Sequence, residues 1–300
     1  MWPPPNDADT VTRMRAAHER ASAALRVTVD RTQAEEAWGF AGRTLGRPVM
    51  TPDSPGWLRI AATEAGQQIT TFWDGGRTAQ QALPASIPRP ALRAIHDHHH
   101  DGWDYRAELY DRVHVRPLAV TTVPRRLTDS PKGQWFQALR RSFRILATVS
   151  TDRRTIEQSY LDDVMPRILG EPITTTSPAP WVTAHGDLHW ANLCGPTLCM
   201  LDWEGWGLAP AGYDAATLYC HSLFMPTLAA QVQARFADAL STESGRYAEL
   251  AVIAELLDTV HSGTGLDIDH AGLLRIRATH LLRRGIPRQQ EGAATRPGQT

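Results

Sequence analysis

The stretch from Trp181 to Glu204 constrains this chain more than any other. Two short apolar runs, Trp181 to Ala184 and Leu198 to Leu201, read as strands flanking a loop. The loop is His185-Gly186-Asp187-Leu188-His189-Trp190-Ala191-Asn192-Leu193, and the second run leads into Asp202-Trp203-Glu204. Two acids and an amide therefore lie on one hairpin, each near a strand end. An oxygen-only donor set of this kind suits magnesium, which takes one or two carboxylates and completes its shell with water and phosphate.

The rest of the chain must supply the surroundings for that loop. Its 300 residues exceed what one small core needs and predict one large domain or two lobes. A formal net charge of −1 gives no basic face, so nucleic acid is not expected as a partner. Cys194, Cys199 and Cys220 form an odd, sparse set: neither a disulfide framework nor paired zinc ligands, but buried thiols. The N-terminal MWPPPNDADT lacks the basic and apolar regions of a signal peptide, and no apolar run reaches membrane-span length. The expectation is a soluble, cytoplasmic protein without membrane contact. Lys132 is the only lysine, a bias that genome composition explains.

Texture divides the chain near residue 113. Asp9 to Val27 carries helical spacing, with Val11, Met14, Ala17, Ala21, Ala24 and Leu25 on one face. Thr32 to Leu45 reads as a second helix. Trp57 to Ile60 reads as a strand after the turn signal Pro52 to Gly56, and Gln68 to Trp73 as its neighbour, stopped by Asp74-Gly75-Gly76. Tyr105 to Val113 alternates like a strand. His96 to Asp101 resembles a metal site at first sight but reads better as an exposed turn before that strand, because a mobile turn lacks the support a closed metal shell needs. Beyond residue 113, Gly133 to Val149, Thr155 to Leu169 and the segments from Asp214 to about Arg284 are helical. The reading is α+β: a small antiparallel-sheet lobe over residues 1–113, with a helical N-terminal extension, and a mainly helical lobe over 114–300.

The strings HGDLHWAN and LDWEGWGLAPAGYDAATL resemble the aminoglycoside phosphotransferase family, related to choline kinases and of protein-kinase-like fold. The resemblance is strongest over Trp181 to Leu218. It implies a bilobal kinase-like architecture, with ATP or GTP between the lobes, Mg2+, and a small-molecule hydroxyl acceptor such as an antibiotic or a metabolite alcohol. Carried over by position, Asp187 becomes the base that takes the acceptor's proton, and Asn192 and Asp202 become the metal ligands. His185 braces the loop. Asp214 is a structural acid at a helix start, where negative charge is favoured. The position of the family's phosphate-binding strand lysine falls on Arg59, whose fork also binds phosphate. Glu108 to Arg112 brackets the hinge that binds the base, with Glu108 and Tyr110 as nucleotide-site candidates.

Several points stay open on the sequence alone. No helix acid is evident as a partner for Arg59, since Glu64 and Asp74 are the only acids between Ile60 and Pro84. Gly39, Gly42 and Gly46 are either a phosphate loop or ordinary turns. Glu204 assists a metal or forms a local ion pair. His189 belongs to the site or packs within the loop. Glu157, Asp162 and Asp163 face a cationic acceptor or form a solvated helix face. The acceptor-binding residues and the oligomeric state are unassigned. Two other functions compete with an active kinase: a nucleotide-binding relative without transfer activity, and a hydrolase using His185, Asp187, His189 and Asp202 on a transition metal.

Overall fold

The computed structural model describes residues 3–32, 35–67, 71–170, 179–261 and 267–285. The first element, α1 (Ala8–Ala24), starts at Asp7, whose carboxylate accepts from the backbone N–H groups of Asp9 at 3.2 Å and Thr10 at 3.0 Å. Met14, Ala17, His18 and Ala21 recur at helical spacing and are all buried. They rest on an antiparallel sheet formed by β1 (Thr28–Val29), β2 (Ala37–Trp38), β3 (Thr44–Met50), β4 (Pro55–Glu64), β5 (Leu92–His100) and β6 (Trp103–Asp111). The sheet order is β1-β3-β4-β6-β5, with β2 also pairing with β3.

The central strand β4 decides how the sheet is used. Gly56, Leu58, Ile60 and Ala62 are buried on one face, beneath α1, where His18 Nε2 lies 3.1 Å from the Leu58 carbonyl oxygen. Trp57, Arg59 and Ala61 take the opposite face by the two-residue period of a strand. Burying Leu58 and Ile60 stabilises this lobe by about 1.5–3 kcal/mol each. A one-residue slip in register would put Arg59 into the core, so the pairing is strongly specified.

The second lobe is helical. It comprises α3 (Gly133–Leu146), α4 (Gln158–Leu169), α5 (Tyr213–Cys220), α6 (Pro226–Arg235), α7 (Ala237–Leu240), α8 (Glu243–His261) and α9 (Ile268–Gly285). Two short ladders hold the loop of interest: β7 (Arg116–Pro117) pairs with β9 (Cys194–Gly195), and β8 (Trp181–Ala184) pairs with β10 (Gly207–Pro210). The molecule is thus an α+β bilobal structure of protein-kinase-like type. Its hydrophobic core is split in two. The sheet and α1 form one cluster, and the helical lobe forms the larger one. The short helix α2 (Gly75–Ala82) lies in the sheet-side half of the sequence. Its Ala79, with Leu83 and Ile87 just beyond it, nevertheless packs into the larger cluster.

Four expectations from the sequence are corrected. The helix expected over Thr32 to Leu45 is absent from its described part, where β2, a tight loop and β3 stand instead. Gly42 has φ +74°, and Gly46 lies under the Trp57 indole, leaving no room for a Cβ. Of the strand expected over Gln68 to Trp73, residues 68–70 lie outside the described residues and Thr71–Asp74 form a single 3-10 turn. Gly75-Gly76 starts α2 rather than ending a strand. His96 to His100 belong to β5 and only Asp101-Gly102 turns, both with positive φ. Leu198 to Leu201 is not the partner strand of β8. Its backbone makes a single bridge, Leu193 to Met200, and the Met200 and Leu201 N–H groups donate to the carbonyls of Pro88 and Asn192.

Candidate active site

The loop from His185 to Asn192 is held from beneath by α5. Asp214, in the first turn of that helix, accepts from the backbone N–H groups of His185 at 2.8 Å and Gly186 at 3.1 Å. Gly186 has φ +89°, a turn that favours glycine. The His185 ring is fully buried. Its Nε2 sits 2.8 Å from the Leu201 carbonyl oxygen, and its Nδ1 accepts from the Asp187 N–H at 3.3 Å. These two partners assign the proton to Nε2. Burial lowers the affinity of that imidazole for a second proton, so it stays neutral. His185 thus ties the start of the loop to the residue before Asp202.

Asp187 points into the cleft with its side chain half exposed. Asn192 Nδ2 donates to the Asp187 carbonyl oxygen at 2.9 Å and to its Oδ2 at 3.2 Å. His189 packs within the loop, its ring 5.7 Å from that of His221, and its Nε2 lies 3.5 Å from Asp187 Oδ2. Burial favours protonation of the Asp187 carboxyl, but the pairing with His189 outweighs it and holds the group well below the usual carboxylate range. Asp187 is therefore an oriented carboxylate. The Asn192 amide, engaged through Nδ2, leaves Oδ1 for a cation.

Asp202 adopts the left-handed region at φ +59°, where a non-glycine residue is strained, a feature that clusters at functional sites. Opposite it stands Arg59. Its Nη2 is 3.9 Å from Asp202 Oδ1, its Nη1 is 3.3 Å from Glu108 Oε2, and it also pairs with Glu204. Burial opposes the charge on Arg59, but Glu204, Asp202 and Glu108 outweigh it and hold the guanidinium above its ordinary pKa. Arg43, at the end of the loop between β2 and β3, completes the cluster with Nη2 2.5 Å from Glu204 Oε1. The Tyr110 hydroxyl donates to Glu108 Oε2 at 3.0 Å, and burial, then Glu108, raises its pKa well above the ordinary value.

A cleft of about 970 Å3 lies between the sheet and the helical lobe. Asp187, His189, Asn192, Asp202 and Glu204 come from one side, and Arg43, Trp57, Arg59, Glu108 and Tyr110 from the other. Of the residues given a role in the sequence, Arg59, Glu108, Tyr110, Asp187, Asn192 and Asp202 lie on this wall, and His185 and Asp214 lie behind it. Glu108 and Tyr110 sit inside β6, not on the connecting segment after Asp111, so they meet the cleft through their side chains. Glu157, Asp162 and Asp163 are on the outer face of the helical lobe, paired locally with Arg154, Gln158 and Arg167, and do not line the cleft.

Sequence reasoning missed two contributors, Arg43 and Trp57, and named Glu108 for the nucleotide site without its pairing to Arg59. Glu108 supplies the acid that was sought on a helix, because β4 and β6 pair with Arg59 opposite Glu108. Arg43 and the glycines around it form the loop over the cleft. Trp57, two residues before Arg59, faces the same way; the two-residue strand period was its one sequence signal.

No family model and no curated protein matches this chain. Solved structures do, at low identity. The crystal structure of aminoglycoside phosphotransferase APH(4)-Ia is 11% identical over 94% of this chain and 100% of that one, with a TM-score of 0.60. Amicoumacin kinase hAmiN, in complex with AMP-PNP, Ca2+ and Ami, is 13% identical over 92% and 96%, with a TM-score of 0.54. Spectinomycin phosphotransferase APH(9)-Ia, in complex with ADP and spectinomycin, is 11% identical over 91% and 94%, with a TM-score of 0.51. This similarity establishes the fold. No helix among the described residues is long and apolar enough to cross a membrane.

Proposed function

We propose that this protein is a small-molecule kinase that transfers the γ-phosphate of ATP or GTP to a hydroxyl group, antibiotic-like or metabolic. The observation that carries the reading is the convergence of Asp187, Asn192 and Asp202 on one cleft with the Arg59 guanidinium. In that reading residues 1–113 supply the nucleotide-binding lobe and 114–300 the catalytic loop and acceptor site. The Trp57 indole offers an apolar platform beside Arg59 for the base.

Asp187 accepts the proton of the acceptor hydroxyl. Asn192 Nδ2 and His189 fix the carboxylate so that it faces the cleft. Arg59 binds phosphate, held in place by Glu108 across the sheet. The donor set fits a hard divalent cation, because Asn192 Oδ1 and the Asp202 carboxylate are oxygens in a cluster with more acids than arginines. Magnesium held there would neutralise charge on the phosphates. Positioning and charge neutralisation then supply most of the rate.

Two features weigh against the alternatives. Both ring nitrogens of His185 are engaged within the protein, which removes it from a zinc shell. Glu108 supplies the acid whose apparent lack favoured an inactive relative. The test is transfer of labelled γ-phosphate to a panel of hydroxylated antibiotics and metabolites with magnesium present. Nucleotide binding with no transfer to any acceptor, and no hydrolysis, would instead support a binding module.

A further inference from the structure

A single carboxylate bridges two arginines from different parts of the sheet lobe. Glu204 Oε1 takes Arg43 from the loop between β2 and β3, and the other oxygen, Oε2, takes Arg59 from β4. Arg43 is half exposed, on a loop shaped by Ala41 at φ +51° and Gly42 at φ +74°. Arg59 is held at its other side by Glu108. Two guanidiniums spaced to take the two oxygens of one carboxylate are also spaced to take two oxygens of one phosphate, the other anion that the arginine fork matches. Both line the cleft, on the wall opposite Asp187.

We propose that Arg43 and Arg59 form a two-arginine clamp for the nucleotide phosphates, and that Glu204 occupies it in the empty protein as a stand-in anion. This inference rests on the kinase reading and assigns Arg43, which that reading leaves out. Charge supports it. Around the clamp stand two cations, Arg43 and Arg59, and three acids, Glu108, Asp202 and Glu204. A phosphate entering without a cation must displace Glu204 and face the remaining acids. Glu204 therefore disfavours bare nucleotide.

The test is ADP affinity, measured calorimetrically in EDTA, for the wild type and for Glu204→Gln, Arg43→Ala, Arg43→Lys and Arg43→Ala/Glu204→Gln. Glu204→Gln removes the competing charge and should tighten binding about tenfold, since one charge-assisted bond is worth about that factor. Arg43→Ala should weaken binding about tenfold, and Arg43→Lys should recover part of the loss. In the double variant the gain from Glu204→Gln should shrink, because one partner of the bridge is gone. If Glu204→Gln leaves ADP affinity unchanged or weaker while the wild type binds, the clamp is overturned and the kinase reading stands. Unchanged affinity in Arg43→Ala, an exposed-loop variant that does not threaten folding, overturns it equally. If no variant and no wild-type protein binds ADP, with or without magnesium, the kinase reading falls and the clamp with it.

Discussion

Arg59 and Glu108 are direct partners across the β4–β6 ladder, and the guanidinium Nη1 stands 3.3 Å from the Glu108 carboxylate. Glu108 is only 2% exposed, so it depends on that cation. Removing one member of a buried pair leaves an uncompensated charge, at a cost of about 3 kcal/mol. Arg59→Ala should therefore lower stability by that order and also weaken nucleotide binding about 10- to 100-fold. Arg59→Lys keeps the charge and should recover part of both. Denaturant unfolding and binding isotherms check this; an Arg59→Ala protein as stable and as tight-binding as the wild type would remove Arg59 from the site.

The start of α2 makes a second prediction. A Cβ on Gly76 would collide with the Tyr110 hydroxyl and the Glu108 carboxylate, and one on Gly75 with the Glu204 backbone. Both glycines thus allow α2 to sit against the ion-pair cluster. Gly76→Ala should destabilise by about 1–3 kcal/mol through overpacking. Gly272→Ala, whose Cβ would meet nothing, is the control and should be neutral or slightly stabilising. Equal melting temperatures for the two variants would contradict the close approach.

A third concerns pH. Glu255 on α8 accepts from the Tyr213 hydroxyl, and burial raises its carboxyl from 4.5 to about 7, with smaller upward contributions from Asp187 and Asp258. Between these values the unfolded chain has lost the proton and the folded chain keeps it. Folding then binds more protons, so this group's contribution to stability falls as pH rises from about 4.5 to 7 and is flat above. The loss is on the order of 1–3 kcal/mol. Glu255→Gln should match the wild type near pH 4.5 and exceed it at pH 8. Thermal melts of both proteins across that range measure the difference; a constant offset between them would refute the assignment.

The convergence of Asp187, Asn192 and Asp202 was legible in the sequence because its information is local: short spacings between strand-like runs fix all three. The β4 and β6 strands were legible from their period. What surrounds Arg59 was not, because Glu108 lies 49 positions along the chain and Glu204 lies 145, and only sheet register and lobe packing bring them together. The supposed helix over Thr32 to Leu45 failed for the converse reason. Its local helical pattern was overridden by pairing with neighbouring strands and by the turn at Gly42. Gly75-Gly76 misled because adjacent glycines usually end an element, whereas here they permit close packing.

The metal gives a fourth prediction. With only oxygen donors on Asn192 and Asp202, chelation should abolish transfer, and magnesium or manganese should restore it. Restoration by stoichiometric zinc alone would favour the hydrolase reading.

The central claim is that Asp187 is the base of a phosphoryl transfer. The direct measurement is γ-phosphate transfer, with magnesium and a responsive acceptor, by the wild type and by Asp187→Asn, alongside nucleotide affinity for both. A general base contributes about 10²- to 10⁴-fold. The account predicts a loss of transfer of that size in Asp187→Asn with nucleotide affinity retained; turnover preserved in that variant would contradict it.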